Sequence, residues 1–219
     1  MKVTFFKNLY DKDSTHHVDI HTALGRIREG QSKTTIEAVR DGDKDAKKKL
    51  PIVCFSGEFS DRSDEGLFDH SGLIVLDFDH IDVEKSKAVL ATDAHVYSCW
   101  VSPSGDGLKA LVRVTNPERH RDHFRALKKQ YDLEVDESGV NESRACFESY
   151  DPDLILNPGA QKFGAFASER SEQVQEAKAG EFTDYMKLNL ACRMIRQAED
   201  GEKHAALRNA ARLLGGFVS

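Results

Sequence analysis

The stretch GLIVLDFDHID, residues 72–82, joins an apolar run directly to two aspartates. The unbroken apolar run, residues 73–76, is typical of a strand that is buried on both faces. Because successive side chains of a strand alternate between its faces, Asp77 and Asp79 should point to the same side, roughly 6–7 Å apart. We therefore expect a buried strand that presents two carboxylates at the edge of a sheet, where α/β folds usually bind ligands.

Two neighbouring carboxylates repel each other unless a cation lies between them. Hard oxygen ligands of this kind suit Mg²⁺ or Mn²⁺, so the pair predicts a divalent metal site. Replacement of either acid should leave the fold intact and relieve the repulsion, which favours a higher melting temperature. In the alternative interpretation, Asp77 and Asp79 are solvated acids at the start of a loop.

The length of 219 residues fits one large domain, or one domain with a small appendage. Of these residues, 39% are hydrophobic and 31% are charged. A net charge of −6 argues against a protein coated in basic charge but allows a local basic groove. The N-terminal apolar run is too short for a signal peptide, and no segment reaches the roughly 20 apolar residues of a membrane span. We expect a cytoplasmic protein without a membrane partner.

The four cysteines form no CxxC pair. They should be reduced and mostly buried thiols, at Cys54, Cys99, Cys146 and Cys192.

Strand and helix patterns alternate up to about residue 150, which predicts an α/β or α+β domain with a mixed sheet over residues 1–158. Residues 159–181 are polar and poor in large apolar side chains, so they are predicted to be a linker. Residues 182–219 have a helical pattern and should form a small helical segment. Because the chain ends on the apolar stretch LLGGFVS, we expect this segment to belong to a truncated accessory domain.

A second motif, SPSGDGLKALVRV at residues 102–114, has serines and glycines in a tight turn ahead of a strand. Such a turn can aim backbone N–H groups at a phosphate, although an ordinary hairpin is the alternative. Lys109 and Arg113 lie four residues apart and so share one face of the strand. Turn and cations together predict a polyphosphate site, whose candidate turn residues are Ser102, Ser104, Gly105 and Gly107.

A third motif, LEVDESGVNESRACF at residues 133–147, brings Asp136 at the end of a predicted strand and then Arg144. Asp136 is a candidate third carboxylate for the metal, and Glu134 and Glu137 compete with it. The alternative is that Asp136 is only a turn residue.

The order of these motifs is hhhDxD (h, hydrophobic), then SPSGxGxK, then a strand-end Asp followed by Ser-Arg, and it resembles the archaeo-eukaryotic primase superfamily. Within that superfamily, the chain is most similar to the VirE N-terminal-like primase domains of phage and mobile-element primase-helicases. The resemblance covers about residues 50–158 and includes FESYDPDLILNP at its end. Most members of the superfamily have histidine at the position of Lys109.

The resemblance implies a DNA primase-polymerase that transfers nucleotides from (d)NTP to a primer 3′-OH on a single-stranded DNA template. It also implies a helicase domain in the full-length protein. The implied catalytic residues, which would also hold Mg²⁺ or Mn²⁺, are Asp77, Asp79 and Asp136. The implied nucleotide-binding residues are Ser102, Ser104, Gly105, Gly107, Lys109, Arg113 and Arg144.

Two other functions remain open. A degenerate primase fold would bind nucleotide or nucleic acid without catalysis, which the acidic net charge and the lysine in place of histidine favour. The stretch IVLDFDHID also resembles the start of haloacid-dehalogenase phosphatases, except that His80 and Ile81 replace the Gly-Thr of that motif. A DxD phosphohydrolase is therefore the less favoured alternative.

Three further clusters each have a surface interpretation beside a functional one. Between Lys109 and Lys129, seven basic residues accompany two acids, which fits either a template groove or the solvated face of one helix. His17 and His21 have the spacing of one helix face, but they lack a third metal ligand and are interpreted as a surface cluster. A cationic stripe on the predicted C-terminal helix, a candidate for template contact or a solvated face, consists of His204, Arg208 and Arg212.

Overall fold

The computed structural model describes residues 1–131 and 137–167. The strands in these residues are β1 (Lys2–Phe6), β2 (His16–Asp19), β3 (Ile52–Cys54), β4 (Gly57–Phe59), β5 (Leu67–His70), β6 (Leu73–Phe78), β7 (Val96–Val101), β8 (Leu108–Arg113), β9 (Cys146–Phe147) and β10 (Ile155–Leu156). The helices are α1 (Ile20–Glu29), α2 (Lys33–Arg40), α3 (Lys44–Lys49), α4 (Val83–Thr92) and α5 (His120–Gln130). Short 3₁₀ turns cover Pro117–Arg119 and Glu137–Val140.

The strands form one sheet in the order β2-β1-β3-β9, a second in the order β10-β7-β8-β6, and a β4-β5 hairpin. Neighbouring strands pair antiparallel in all three sheets. The predicted α+β class is confirmed, but these strands do not form the expected mixed sheet. The physical reason is the tight β7–β8 hairpin, whose second strand inserts beside β6 and separates it from β7. The rule that ligands bind at the carboxyl edge of a parallel sheet therefore does not apply to β6.

The β6–α4–β7 unit is a split β-α-β arrangement. Because β6 and β7 are each antiparallel to β8, they run parallel to each other with β8 between them. Helix α4 connects them, and α5 follows β8. This arrangement gives the second sheet one face for α4 and α5 and leaves the opposite face for the first sheet.

Both faces of β6 are buried, as the apolar run predicted. Ile74 and Leu76 pack with residues of α4 and α5, such as Leu90. Leu73 and Val75, on the opposite face, pack with α1 and with strands of the first sheet. By the same alternation, the side chain of the residue after Leu76 returns to the layer between the two sheets.

The local sequence accounts for several helix ends. Helices α1, α3 and α4 each follow an aspartate, Asp19, Asp43 or Asp82, whose carboxylate accepts hydrogen bonds from first-turn N–H groups. Helix α1 ends at Gly30, which adopts a left-handed φ of +77°. Asn116 followed by Pro117 predicts a capped start of a helix, but the Asn116 side chain caps nothing and the chain first makes a 3₁₀ turn before α5.

Some expectations about local structure were wrong. The mostly polar stretch RSDEGLFDHSG, residues 62–72, predicts a loop, but Leu67–His70 within it forms β5, because the pairing of β5 with β4 is a tertiary contact. His17 lies on β2 whereas His21 lies on α1, so the two do not share a helix face.

The thiol and membrane expectations can be checked on the described residues. The prediction of buried free thiols is confirmed at Cys54, Cys99 and Cys146, and Cys192 lies outside these residues. No helix that the structure describes is long and apolar enough to cross a membrane.

Two buried carboxylates in FESYDPDLILNP connect separate elements. Glu148 is fully buried and accepts hydrogen bonds from Arg26 Nε at 2.6 Å and from the Ser32 hydroxyl. Asp151 accepts from Lys87 Nζ at 2.7 Å and from a β7 backbone N–H at 2.9 Å. This part of the motif therefore joins α1, α4 and β7, which is a structural role.

The start of the predicted linker packs against the same unit, which extends over Met1–Ala167. Phe163 is buried, and its backbone N–H donates to the Arg113 carbonyl at 2.7 Å. The rest of the predicted linker and the predicted helical segment 182–219, with its stripe of His204, Arg208 and Arg212, lie outside the described residues.

Candidate functional site

A polar cavity of about 330 Å³ borders the carboxyl end of β6. Its walls come from α3, β6, the β7–β8 turn, β8, and the segment that leads into β9. The lining residues are Leu9, Lys47, Asp77, Asp79, Ser102, Pro103, Ser104, Lys109, Arg144, Ala145 and Phe147. Residues from all three sequence motifs therefore meet at one cavity.

Asp77 is held by two cations. It pairs directly across the sheet with Lys109, and the Lys109 ammonium donates to Asp77 Oδ2. Arg144 Nη2 lies 3.3 Å from the same oxygen. The other carboxylate oxygen, Oδ1, is buried and has no hydrogen-bond partner among the described residues. The carboxylate thus keeps one oxygen for a further donor or cation.

Lys109 is buried at the base of the cavity, with a side chain that is 7% exposed. Burial acts to lower its pKa, yet the pKa is raised above its ordinary value because negative charge at Cys146 and Asp77 favours the ammonium. Burial also raises the pKa of the Cys146 thiol to about 11, so this thiol is neutral at pH 7. Asp77 is therefore the negative charge that holds Lys109 protonated under physiological conditions.

Asp79 lines the same cavity as Asp77, as strand alternation predicted, but it is exposed. Strand β6 ends at Phe78, just before Asp79, and His80 then adopts a positive φ of +55°. The His80 ring lies 3.0 Å from Asp106 Oδ2 in the β7–β8 turn. This contact joins the end of β6 to the turn beside it.

The turn between β7 and β8 is a hairpin, the simpler of the two predicted interpretations. The Ser102 N–H donates to the Gly107 carbonyl at 2.9 Å, and the Gly105 N–H donates to the Ser102 carbonyl at 3.1 Å. These two N–H groups are used within the turn and do not point at a phosphate. The hydroxyl groups of Ser102 and Ser104 lie 3.4 Å apart, and both residues line the cavity.

Gly107 allows the hairpin to approach β6 closely. A Cβ atom at this position would lie 2.3 Å from the Phe78 carbonyl oxygen, far inside van der Waals contact. Gly105 has a φ of +85°, a left-handed conformation that favours glycine. Both glycines therefore shape the wall that carries Ser104.

Two predicted residues do not join the cavity in the described part of the chain. Arg113 pairs with Leu73 at the other end of β8, and its guanidinium lies 6.0 Å from the Tyr97 ring centroid. Asp136, like its competitor Glu134, lies outside the described residues, and no side chain is described for Glu137.

Sequence reasoning missed three contributors to this region. Lys47 lines the cavity, and its ammonium lies 5.5 Å from the Phe147 ring centroid. Leu9 lines it from the segment after β1. Arg40 Nη2 donates to the Ser102 carbonyl at 3.3 Å. The lysine-rich sequence of α3, KDAKKK at residues 44–49, could have indicated a cationic wall. Its position beside the cavity, however, depends on how the first sheet packs against β6.

The predicted template groove on α5 gains no support from its charges. Arg119 and Arg125 both pair with Asp122, at 2.7 and 3.4 Å. Arg121 pairs with Asp64 at 2.8 Å and with a second acid at 3.4 Å. Ion pairs within the protein thus neutralise much of this helix's positive charge.

The cavity contains three cationic side chains and two acidic ones, which suits a polyanion that arrives with a divalent cation. The two acids could supply carboxylate oxygens, and the buried Asp77 Oδ1 lacks a partner among the described residues. However, no cluster of three His, Cys, Asp or Glu residues that could hold a metal occurs within residues 1–131 and 137–167. A metal would therefore need another ligand, from the substrate or from elsewhere in the chain.

The fold and the cavity define an α+β domain with a mixed-charge site between two antiparallel sheets. The family model for the BT4734-like N-terminal domain matches residues 45–155, just over half of the chain, and the chain belongs to this family. The matched range includes every lining residue of the cavity except Leu9. Comparison with curated proteins and with solved structures gave no match.

Proposed function

We propose that this domain is a DNA primase-polymerase of the archaeo-eukaryotic type, which extends a primer 3′-OH on a single-stranded DNA template. The observation that carries the proposal is that Asp77 and Asp79 share one cavity with Ser104 and Lys109 of the second motif. A carboxylate pair beside a cationic phosphate cradle is the donor set that nucleotidyl transfer needs. The setting would be replication of a phage or mobile element, with a helicase domain as partner.

The triphosphate of the incoming (d)NTP would contact Lys109, Arg144 and Lys47. Arginine can hold phosphate through two parallel N–H groups, and lysine acts as a point charge. The serine hydroxyl groups of the turn would donate further hydrogen bonds. Lys109 would supply a positive charge at the position where most primases have histidine, but it would lack the directional hydrogen bond of an imidazole.

A divalent cation, Mg²⁺ or Mn²⁺, would be held by Asp77 and Asp79, with Asp136 as the predicted third ligand, and would stabilise the attacking and leaving oxygens. Asp77 Oδ1 is the oxygen best suited to this role, because it is buried and makes no hydrogen bond within the described residues. Asp79 is exposed and makes no ion pair with the residues that the structure describes, so it can bind a ligand without giving one of these up. The two acids thus differ in what each must give up to bind the cation.

A non-catalytic nucleotide-binding or nucleic-acid-binding domain is the second candidate. The observation that favours it is the pair of cations on Asp77, since Lys109 and Arg144 already neutralise this carboxylate. The phosphohydrolase alternative has weaker support, because β6 has an antiparallel neighbour and no parallel one among the described strands.

The proposal includes a cytoplasmic location. The free, buried thiols of Cys54, Cys99 and Cys146 support it, since disulfides form chiefly in oxidising compartments.

The test is primer extension with Mn²⁺ and dNTPs on single-stranded DNA, together with calorimetric titration of dNTP. Asp79→Asn and Asp77→Asn should each reduce extension at least about 100-fold, as expected when a ligand of a catalytic cation is removed. The matched control is Asp13→Asn, at an exposed acid outside the cavity.

Each outcome separates the candidates. Full activity in the Asp79→Asn variant would remove this residue from the catalytic set. Tight dNTP binding without any product in the wild-type protein would favour the non-catalytic domain. An absence of both binding and extension would defeat the proposal.

A further inference from the structure

A second cavity, of about 510 Å³, lies beside α3 and the segment that follows β1. Its lining residues, which we call the Tyr10 surface, are Lys7, Asn8, Tyr10, Asp45, Lys48 and Lys49. Tyr10 is 72% exposed, the most exposed of the large hydrophobic side chains that the structure describes. The ring is therefore accessible to a ligand that stacks on it.

The Tyr10 surface adjoins the candidate active site through two shared segments. Leu9 lines the site cavity, whereas its neighbours Asn8 and Tyr10 line the second one. On α3, Lys47 lines the site cavity, and the next two lysines line the second. A ligand that extends out of the candidate site past α3 would therefore meet the Tyr10 surface next.

The chemistry of this surface suits a polyanion with flat, apolar groups. Three lysines accompany one acid, Asp45, which pairs with Lys48 at 2.8 Å. Both partners of this pair are well exposed, so the pair is weak and can exchange for a phosphate. Single-stranded nucleic acid combines a backbone charge that attracts lysines with bases that stack on an aromatic ring.

We infer that the Tyr10 surface binds single-stranded DNA, with a base stacked on Tyr10 and phosphates at Lys7, Lys48 and Lys49. This inference rests on the proposed function and deepens it, because it assigns the path of the strand. A duplex is a poor fit, since its bases are stacked on one another and cannot reach the ring.

Fluorescence anisotropy with a labelled 20-nucleotide oligo(dT) tests the inference on the full chain. Tyr10→Ala should weaken binding about 5- to 100-fold, the usual range for loss of one base–aromatic stack. The double variant Lys48→Gln/Lys49→Gln should weaken binding and lower the slope of log affinity against log salt by about 1.4, since each phosphate contact on a single strand contributes about 0.7.

Matched controls separate a defined path from general charge. Phe68→Ala removes another exposed aromatic ring, on β5, and Lys85→Gln/Lys162→Gln removes two exposed lysines that line neither cavity. Neither control should change binding more than about twofold, because single surface charges and rings away from the strand contribute little. Calorimetric titration of dNTP on all variants should give the wild-type affinity.

The outcomes distinguish failure of the inference from failure of the proposed function. Unchanged oligonucleotide binding in Tyr10→Ala, equal losses in the controls, or preference for a duplex would overturn the assigned path while leaving dNTP binding as it stands. Selective loss of oligonucleotide binding in the Tyr10 and lysine variants would support the path even if the wild-type protein bound no dNTP. The lack of dNTP binding would then count against the proposed function alone. A wild-type protein that bound no oligo(dT) would overturn the inference.

Discussion

The Asp77–Lys109 pair offers the sharpest test of the site's electrostatics. Repulsion between neighbouring carboxylates suggests from sequence that removal of Asp77 would stabilise the protein. The structure reverses that expectation, because Asp77 faces the buried Lys109 ammonium across the sheet and Arg144 lies beside both. In the Asp77→Asn variant, the buried Lys109 ammonium would lose the carboxylate that faces it across the sheet.

The magnitude follows from burial. The side chains of Asp77 and Lys109 are 12% and 7% exposed, so solvent screens the pair only slightly. Removal of one partner from a buried ion pair costs about 3–5 kcal/mol of stability. For Asp77→Asn we expect about 2–4 kcal/mol, because the pair keeps some exposure and the new Asn can still accept a hydrogen bond. Lys109→Met should cost less, because Arg144 remains to pair with the carboxylate. The double variant should lose at least about 1 kcal/mol less than the sum of the two single variants.

Urea unfolding followed by the fluorescence of Trp100, the single tryptophan, measures these free energies. This indole is fully buried and should report the global transition, and equal m-values across variants would justify the comparison. The control is Asp13→Asn, which should change the free energy of unfolding by less than about 0.5 kcal/mol. An Asp77→Asn variant as stable as the wild type, or single effects that add within about 0.5 kcal/mol, would refute the pairing.

Two further predictions concern the wall of the site and the pH dependence of stability. Gly107→Ala should destabilise the protein by about 1–3 kcal/mol through overpacking, because the new Cβ would lie 2.3 Å from a β6 carbonyl oxygen. The control Gly25→Ala, in open space on α1, should instead stabilise the protein by about 0.5–1 kcal/mol in the same urea assay. Burial lowers the pKa of His70 to about 4 and that of His120 to about 3, whereas unfolded histidines titrate near 6.5. Below about pH 6.5, each of these histidines therefore binds a proton in the unfolded chain before it does so in the folded protein. The contribution of the two histidines to the free energy of unfolding is constant above about pH 6.5. Between about pH 6.5 and 4 it decreases by up to about 1.4 kcal/mol per pH unit for each histidine. His70→Asn, which can keep the hydrogen bond from the Gly72 N–H, should reduce that slope, and an unchanged slope would contradict the assignment.

The elements that sequence predicted well are those whose signal is local. The apolar run predicted β6, and the serines and glycines of residues 102–107 predicted the tight turn ahead of β8. The sequence also predicted a metal cation at Asp77, which stays a prediction. In the described structure the Lys109 ammonium pairs with Asp77, and this pairing could not be foreseen because it depends on the non-local register between β6 and β8.

The features that sequence missed depend on contacts between sheets. Lys47 and Leu9 reach the site only because the first sheet packs against one face of β6, and no periodic pattern encodes that approach. Arg113 failed to join the site for the opposite reason, since sharing a strand face with Lys109 does not put both residues at the same end of the strand. Asp136 and the C-terminal segment stay predictions, because they lie outside the described residues.

The alternation that buries β6 also fixes the chemistry of its end. A slip of one residue against β8 would turn the carboxylate of Asp77 toward the apolar layer of Ile74 and Leu76, beneath α4 and α5. The same slip would move the apolar Phe78 into the polar cavity. Correct folding of the apolar run and correct pairing of Asp77 with Lys109 are therefore one event, so the register that the core demands also assembles the site.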